Sequence, residues 1–446
     1  MKIYPIAFAL ALNAMQTPSY ASEGQITLNT IIELAIARDH GLTQLNSQAL
    51  SFKETGIASA TLIDPKIKLG VGGLPVDSFS FDEDPMTNIS VGLSQQFSRG
   101  STLDLSQQNY EQQAQVLVYQ AELRKLDIAK KITGLWTELK YLKRANELTD
   151  EMRELMLEMS QFIETNYSLG RGETQDLLYA ELQVSQLEEK LQRNRQMQQR
   201  IQAQLSEWVE LEYILRAAVA LPLEGRWQSL RDIDTVQQPN AMEFYDLLAT
   251  HPRVKAAEQT IQSKETLVSI AEQSYTPQFG VEVAYAYRQA NGMNGQPASD
   301  LISAYLTMDI PLFTDKKQDR KYTAAQLQVG AAKSQKDLLL VQMNAFVNSL
   351  LSDKHNLEER IQRYQKILLR QAKERTQATE RGYENSSAQF SELISAANEE
   401  LMLAKEEARL IADLNNTNNE LAHALNLYDQ KITEIKAAYE LKENNK

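Results

Sequence analysis

The chain has 446 residues, a net charge of −13 and no cysteine. The missing thiol excludes disulfides, thiolate metal sites, cysteine nucleophiles and a lipid anchor attached through cysteine. The acidic balance argues against sequence-independent binding to nucleic acid, so we expect no nucleic-acid partner.

Residues 1–21 have the pattern of a secretory signal peptide. Lys2 supplies a positive end, Ile6 to Met15 is a short apolar run, and Ala21 closes a small-residue cleavage site. An ordinary N-terminal helix is the alternative. No other stretch approaches the ~20 apolar residues of a membrane-spanning helix. The sequence therefore predicts an exported chain that is either soluble or a β-barrel.

The next part of the chain predicts a helix, two strands and a long helical hairpin. Helical spacing of apolar residues, then period-two alternation, then a proline-free tract rich in Gln, Glu, Leu and Ala indicate these elements in turn. The predicted elements are a helix over 28–53 continuing toward Leu62, strands at about 66–74 and 87–97, a hairpin over about 102–216 and an irregular connector over 217–240. Together they make a first unit, 22–240.

The same order then repeats. The predicted elements of the second unit, 241–446, are a helix over 241–271, strands at about 278–288 and 301–313, a hairpin over about 315–427 and a C-terminal tail. Phe97 and Phe313 stand 216 positions apart, and so do Tyr167 and Tyr383. A constant offset over matching elements indicates one duplicated unit.

The four strands have the length of tilted membrane strands, about ten residues. One face of each is apolar and the other is small or polar, as in a membrane barrel with a wet lumen. Five aromatic residues are expected near strand ends or on the apolar face, as interfacial anchors: Phe97, Tyr285, Tyr287, Tyr305 and Phe313. Four strands cannot close a barrel, so the barrel must be shared between chains. A small soluble sheet packed against the helices is the alternative.

This duplicated order resembles the TolC-type outer-membrane efflux proteins over Leu28 to Leu427, with His40-Gly41 and His251-Pro252 opening the two repeats. The resemblance implies a mainly α fold with a membrane β-barrel. It implies a homotrimer in the outer membrane of a Gram-negative bacterium, with a twelve-stranded barrel continued by an α-helical periplasmic tunnel. It further implies a passive exit duct of a tripartite efflux system, opened by a periplasmic adaptor and an inner-membrane pump.

The hairpin tips carry the pattern of that family: Tyr, Gly three later, then an acid, an apolar pair and Ala. The residues are Tyr167, Gly170, Asp176 and Ala180 in the first repeat, and Tyr383, Ser386 in place of Gly, Glu392 and Ala396 in the second. The resemblance implies that the tips dock onto the adaptor and that Asp176 and Glu392 ring and gate the pore. Arg171 and Arg381 flank the tips and are candidate partners of carboxylates in a closed state. Ordinary solvated side chains are the alternative for all of these charges.

The cargo is predicted from shorter segments. Pro65 to Pro75, Asp84 to Thr87 and Gly92 to Phe97 resemble the branch that serves heavy-metal cation pumps of the resistance-nodulation-division type, although Ser98-Arg99-Gly100 replaces a Pro-rich, basic sequence. Metal-cation export is the expectation, with drugs or secreted polypeptides as alternatives.

No enzyme activity, cofactor or resident metal is predicted. The four histidines share no metal-ligand spacing, and no nucleotide-binding or hydrolase motif is present. Met152, Met156 and Met159 share a helix face that we interpret as core. The alternative functions are a soluble periplasmic coiled-coil structural protein and an adaptor protein. An adaptor, however, would have a single hairpin.

Overall fold

The structure is a computed structural model that describes residues 28–170, 173–210, 230, 244–292, 295–385 and 387–428. Five predictions lie outside the described residues. They concern the signal peptide at 1–21, Arg171, almost all of the connector at 217–240, Ser386 and the tail beyond residue 428.

Each half of the chain contains helices, two strands and a long hairpin. The first half comprises α1 (Leu28–Arg38), α2 (His40–Ser59), β1 (Lys66–Gly72), β2 (Asn88–Gln96), α3 (Thr102–Ser168) and α4 (Thr174–Leu205). The second comprises α5 (Tyr245–Ala249), α6 (Pro252–Gln273), β3 (Gln278–Tyr287), β4 (Leu301–Asp309), α7 (Gln318–Arg363), a π-helical turn (Tyr364–Leu368), α8 (Leu369–Glu384) and α9 (Phe390–Ala424). With 67 residues, α3 spans about 100 Å.

The first predicted helix is interrupted at Asp39. Its carboxylate accepts a hydrogen bond from the N–H of Leu42 at 2.6 Å, which caps α2. Arg124 of α3 donates to the same carboxylate, with 2.6 Å between Nη2 and Oδ2, and lowers the pKa of Asp39. The periodicity of the sequence predicted a continuous helix because a capping residue does not disturb the apolar spacing.

The second repeat has a matching interruption. The expected helix over 241–271 is replaced by the short α5 and by α6, which begins at Pro252. The Nδ1 atom of His251 accepts from the N–H of Arg253 at 3.1 Å and caps α6. Pro252 occupies the first helical position, where its missing N–H costs nothing.

The four strands form one antiparallel sheet in the order β1-β2-β3-β4. Ile67 pairs with Leu93, and Leu93 pairs with Val283, so the two repeats meet at β2 and β3. β4 ends at Asp309, four residues before the predicted end. Pro311 has no N–H to donate to a neighbouring strand, which ends the ladder there.

The helices continue the sheet in the same order. α2 packs against α3, α3 against α6, and α6 against α7. These four helices adjoin β1, β2, β3 and β4 respectively along the chain. At the far end of the hairpins α3 packs against α4 and α9, and α9 packs against α8. No helix of the described ranges is both long and apolar enough to span a bilayer.

Three buried clusters stabilise the helices. One joins α1 and α3 to the end of α4, one joins α5, α7 and α9, and one lies at the hairpin tips. Met152 and Met156 are buried in the tip cluster and Met159 packs against it. The methionine stripe is therefore core, as predicted.

Candidate functional site

One face of the sheet is apolar and exposed. The register places the apolar side chains of all four strands on this face: Ile67, Leu69, Val71, Ile89, Val91, Leu93, Phe279, Val281, Val283, Tyr285, Tyr287, Ile302, Leu306 and Met308. Leu69 is 79% exposed and Ile302 is 78% exposed. The described helices do not pack extensively on the sheet, so the part of the chain that the structure describes does not cover these side chains.

The opposite face is small and polar. Gly70, Gly92 and Ala284 alternate there with serines, and Lys68 of β1 forms an ion pair with Glu282 of β3 across β2. Tyr305 also lies on this face, opposite Glu282. Its expected position near a strand end or on the apolar face is therefore wrong, since Tyr305 lies in the middle of β4 and the apolar face holds the even-numbered residues of that strand. Phe313 lies beyond the end of β4 and is 87% exposed.

Both edges of the sheet are open. Among the described strands, β1 pairs only with β2 and β4 pairs only with β3. Each edge therefore presents a row of backbone N–H and C=O groups that a further strand can pair with.

The first hairpin turns at a glycine. The N–H of Gly170 donates to the carbonyl of Tyr167 at 2.9 Å, and its φ of +69° lies in the left-handed region. Tyr167 is 43% exposed, and Asp176 lies partly buried in the first turn of α4. Both residues lie close to the turn of the first hairpin.

The second hairpin turns differently. The carbonyl of Gly382 accepts from the N–H groups of Ser387 at 2.7 Å and Ala388 at 3.1 Å. A Cβ on Gly382 would lie 3.0 Å from the Cβ of Ala388, so the glycine permits close approach. Arg381 is exposed, and no ion pair of its guanidinium is found among the described residues.

Glu392 has a structural role that the tip pattern of Tyr, Gly and acid did not indicate. Its carboxylate accepts from the N–H of Gln389 at 3.4 Å, while the Gln389 side chain accepts from the first turn of α9. This reciprocal pair is a capping box. The spacing Gln389-x-x-Glu392 was visible in the sequence and carries that signal.

An aromatic cluster joins the two tips. The ring of Phe390 lies 5.8 Å from that of Tyr383 and 6.4 Å from that of Tyr179, between ring centroids. Burial, and then the nearby charge of Asp176, raise the pKa of the Tyr383 hydroxyl. The structure thus brings Asp176 and Tyr383 together across the repeats. Ala180 and Ala396 of the tip pattern are both buried.

A histidine pair connects α3, α6 and α9 nearer the sheet. The Nε2–H of His251 donates to the carbonyl of His423 at 3.2 Å, and the Nε2–H of His423 donates to Asp127 at 2.7 Å. Burial, and then the charge of His423, lower the pKa of His251 to about 4. The described residues contain no group of three or more potential ligands placed to hold a metal ion. Sequence spacing could not find this pair, because the two histidines are 172 positions apart.

Comparison with solved structures identifies the fold. No protein-family model and no curated protein matches the sequence. The outer-membrane protein VceC of Vibrio cholerae matches with a TM-score of 0.70 and 16% identity, over 89% of this chain and 95% of that one. The outer-membrane channel CmeC of Campylobacter jejuni matches with a TM-score of 0.68 and 12% identity, over 92% and 88%.

The open state of the outer-membrane channel MtrE of Neisseria gonorrhoeae matches with a TM-score of 0.65 and 14% identity, over 90% of this chain and 89% of that one. Each of these matches spans most of both chains. The fold of this chain is therefore that of the TolC-type outer-membrane channels, as the sequence resemblance predicted.

Proposed function

We propose that this protein is the outer-membrane channel of a tripartite efflux system. The observation that carries the proposal is the four-stranded sheet, whose exposed face is apolar and whose other face is small and polar. Apolar side chains exposed in this number are unusual on a soluble protein and mark a surface that meets lipid or protein. A soluble coiled-coil protein has no need of such a sheet.

We further propose that three copies close a twelve-stranded barrel. The open edges of β1 and β4 support this, because lipid cannot satisfy unpaired backbone groups. The helices behind these edges carry matching apolar residues. Leu50 of α2 is 61% exposed, and Leu327 of α7 is 70% exposed. In an assembly where α2 and β1 of one copy contact α7 and β4 of the next, the two strand edges would pair and Leu50 and Leu327 would be buried.

The hairpin tips are proposed as the periplasmic end that docks onto an adaptor protein. Tyr167, Gly170, Arg381 and Tyr383 are the described candidates for contact, and Arg171 and Ser386 complete the predicted set. Asp176 and Glu392 are proposed to ring the pore in three copies each. Close carboxylates raise one another's pKa and attract cations. The adaptor and an inner-membrane pump of the resistance-nodulation-division type would open the tips, and the pump would supply the energy.

The location in the outer membrane can be tested at two adjacent positions. Because the chain has no cysteine, Ile67→Cys and Lys68→Cys each introduce a single label site. We expect a water-soluble maleimide to modify Lys68→Cys in proteoliposomes, because residue 68 would face the lumen. The reagent should not modify Ile67→Cys, because residue 67 would face the lipid. A soluble sheet exposes both residues, so equal labelling would refute the barrel.

The mass of the particle tests the assembly. We expect light scattering of the detergent-extracted outer-membrane fraction to give three chains per particle, with none in the soluble periplasm. A soluble monomer or dimer would overturn the proposal in favour of the coiled-coil alternative.

Single-channel recording tests the gate. Asp176→Asn and Glu392→Gln should each reduce cation selectivity, because each removes three charges from the proposed ring. Unchanged selectivity in both variants would show that these carboxylates do not line the pore.

We propose metal cations as the cargo, on the strength of the sequence segments that resemble the metal branch. The test is the growth of a deletion strain on graded copper, silver, zinc and drug concentrations, with and without the gene. Sensitivity to metals alone supports this cargo. Sensitivity to drugs alone would indicate drugs as the cargo in place of metal cations, and loss of a secreted polypeptide would indicate that polypeptide.

A further inference from the structure

Four cations follow the apolar strand β4, where the sheet ends and α7 begins. They are Lys316, Lys317, Arg320 and Lys321. All four residues are exposed, and none of them lies within ion-pair distance of a carboxylate in the described part of the chain. We call these four residues the basic cluster. The acids of the same stretch are Asp315 and Asp319, so residues 315–321 carry a net charge of +2.

Contacts of Asp319 hold the first turn of α7 against the base of the sheet. The hydroxyl of Tyr275 donates to the Asp319 carboxylate at 2.7 Å, and Tyr275 lies three residues before β3. The N–H of Asp319 donates to the carbonyl of Thr314 at 3.0 Å, which closes the turn that carries the first two cations. The other two cations lie in the first turn of α7. The whole basic cluster is therefore fixed at the end of the sheet.

The apolar surface of the sheet extends to this cluster. Met308 lies on the apolar face of β4, and Ile310, Leu312 and Phe313 continue beyond the strand as exposed apolar residues. Two residues separate Phe313 from the basic cluster. An exposed apolar band that ends in unpaired cations is typical of a protein surface at the edge of a bilayer, where long basic side chains reach the headgroups.

The corresponding turn of the first repeat shows that the fold does not require these charges. Arg99 is the cation of that turn, and it donates to the carbonyl of Thr276 at 2.7 Å and lies 3.8 Å from the Asp309 carboxylate. Arg99 thus stabilises the base of the sheet, whereas the basic cluster has no such partner among the described residues. At the offset of 216, the positions of the four cations are occupied by Gly100, Ser101, Asp104 and Leu105.

A neighbouring copy would not neutralise the basic cluster. In the proposed assembly the base of β4 adjoins the base of β1 of the next copy. The charged residues that lead to this base sum to zero and are Lys53, Glu54, Asp64 and Lys66. The opposite end of the sheet has the other sign, because the loop between β1 and β2 contains four acids and no cation. Unpaired positive charge therefore collects at the end of the sheet that adjoins the helices.

We infer that the basic cluster binds the anionic phosphodiester headgroup of a membrane phospholipid. The inference rests on the proposed function, since only a sheet that lies in a membrane brings headgroups to this level. Phosphate oxygens accept charge-assisted hydrogen bonds from ammonium and guanidinium groups, and cations next to a bilayer attract anionic lipids. Such binding would fix the depth of the barrel in the bilayer, because the basic cluster begins where the apolar band ends.

The test measures phospholipid binding to the full-length protein in a non-ionic detergent by native mass spectrometry. Phosphatidylglycerol is compared with phosphatidylcholine of the same acyl chains, at low and at high salt. Lys316→Gln/Lys317→Gln is the test variant, and Lys316→Arg/Lys317→Arg keeps the charge. Lys366→Gln/Lys373→Gln is the matched control, because it removes two exposed cations that lie beyond the 46 residues of α7, far from the sheet.

We expect the wild type, the arginine variant and the control to prefer phosphatidylglycerol, and the glutamine variant to bind it about tenfold more weakly. The preference should decrease at high salt, because salt screens exposed charges. If the glutamine variant is poorly folded, Arg320→Gln/Lys321→Gln replaces it with the same expectation. Equal binding of the two lipids by the wild type, or equal binding of phosphatidylglycerol by the glutamine variant and the control, would overturn the inference.

Two further measurements separate this inference from the proposals on which it rests. Flotation with phosphatidylcholine liposomes tests membrane association without an anionic headgroup. Flotation together with equal binding of both lipids would overturn the headgroup site alone, whereas no flotation would overturn the channel proposal as well. Light scattering gives the particle mass of each variant. Loss of trimers in the glutamine variant, with an unchanged lipid preference, would assign the basic cluster to the contact between copies and overturn the inference.

Discussion

Lowering the pH from 7.5 to 5.5 should destabilise this protein through His251. The imidazole is 2% exposed, accepts from the N–H of Arg253 and donates to the carbonyl of His423, so it is held neutral. Its pKa falls from 6.5 to about 4 on folding. Between these two values the unfolded chain binds a proton at His251 and the folded chain does not. The free energy of unfolding therefore decreases as the pH falls from about 6.5 toward 4.

The size of this effect follows from the two pKa values. Linkage gives a loss of about 1.3 kcal/mol in the free energy of unfolding between pH 7.5 and 5.5, rising to about 3 kcal/mol below pH 4. The charges of Asp127, Arg253 and His423 also act on the pKa of His251. A variant without His251 is therefore needed to assign the pH dependence to this residue.

The assay is urea unfolding followed by circular dichroism at 222 nm at both pH values. His251→Asn should lose this pH dependence, because asparagine also caps a helix but does not titrate. His355→Asn is the control, since His355 is exposed and lies 3.4 Å from Glu359 in the next turn of the same helix. Histidine C2 hydrogen exchange followed by mass spectrometry gives the individual pKa. A value above 6 for His251, or an unchanged slope in His251→Asn, would refute the reasoning.

Further predictions concern glycine, capping and packing. Gly170→Ala should lower the free energy of unfolding by about 1 kcal/mol because of the positive φ alone, since no atom lies within 4 Å of the added Cβ. Gly330→Ala, inside α7, should raise the free energy of unfolding by about 1 kcal/mol. Changes of equal sign in urea unfolding would contradict this pair of predictions. Glu392→Gln should preserve the capping box, whereas Glu392→Ala should lower the free energy of unfolding by about 1 kcal/mol. Hydrogen exchange in the first turn of α9 measures the difference, and equal exchange in the two variants would contradict the prediction. Ile394→Ala should cost about 2–5 kcal/mol, because Ile394 is fully buried in the tip cluster; a loss below 1 kcal/mol would show that the cluster collapses around the cavity.

The sequence predicts the architecture where local pattern and burial coincide. Period-two alternation located the strands because one face of each is apolar throughout, and the 216-residue offset located the second hairpin from the first. Asp39 interrupts its helix through a cap and an ion pair with Arg124, 85 positions away, which spacing cannot show. Tyr305 was expected near a strand end or on the apolar face, but it lies in the middle of β4 and alternates with the apolar Leu306 and Met308, which places it on the other face.

The candidate site was predicted less completely than the fold. Asp176 and Tyr167 lie on either side of a turn that could be located from the sequence, because the glycine at position 170 determines it locally. Their roles stay predictions. The proximity of Asp176 to Tyr383 and the pair of His251 and His423 depend on contacts between distant segments. Patterns within one helix carry no information about such contacts.

The matched order of strands and helices has a geometric consequence. Neighbouring strands lie about 4.8 Å apart, whereas packed helices lie about 8–10 Å apart. Four helices are thus about twice as wide as the four strands that they continue into, and strand tilt recovers only part of the difference. The chain must fan outward within the few residues that join them. Arg99 lies in that zone, where its guanidinium donates to the carbonyl of Thr276 at 2.7 Å and lies 3.8 Å from the carboxylate of Asp309. One side chain thereby links the bases of three strands where the wall changes its width.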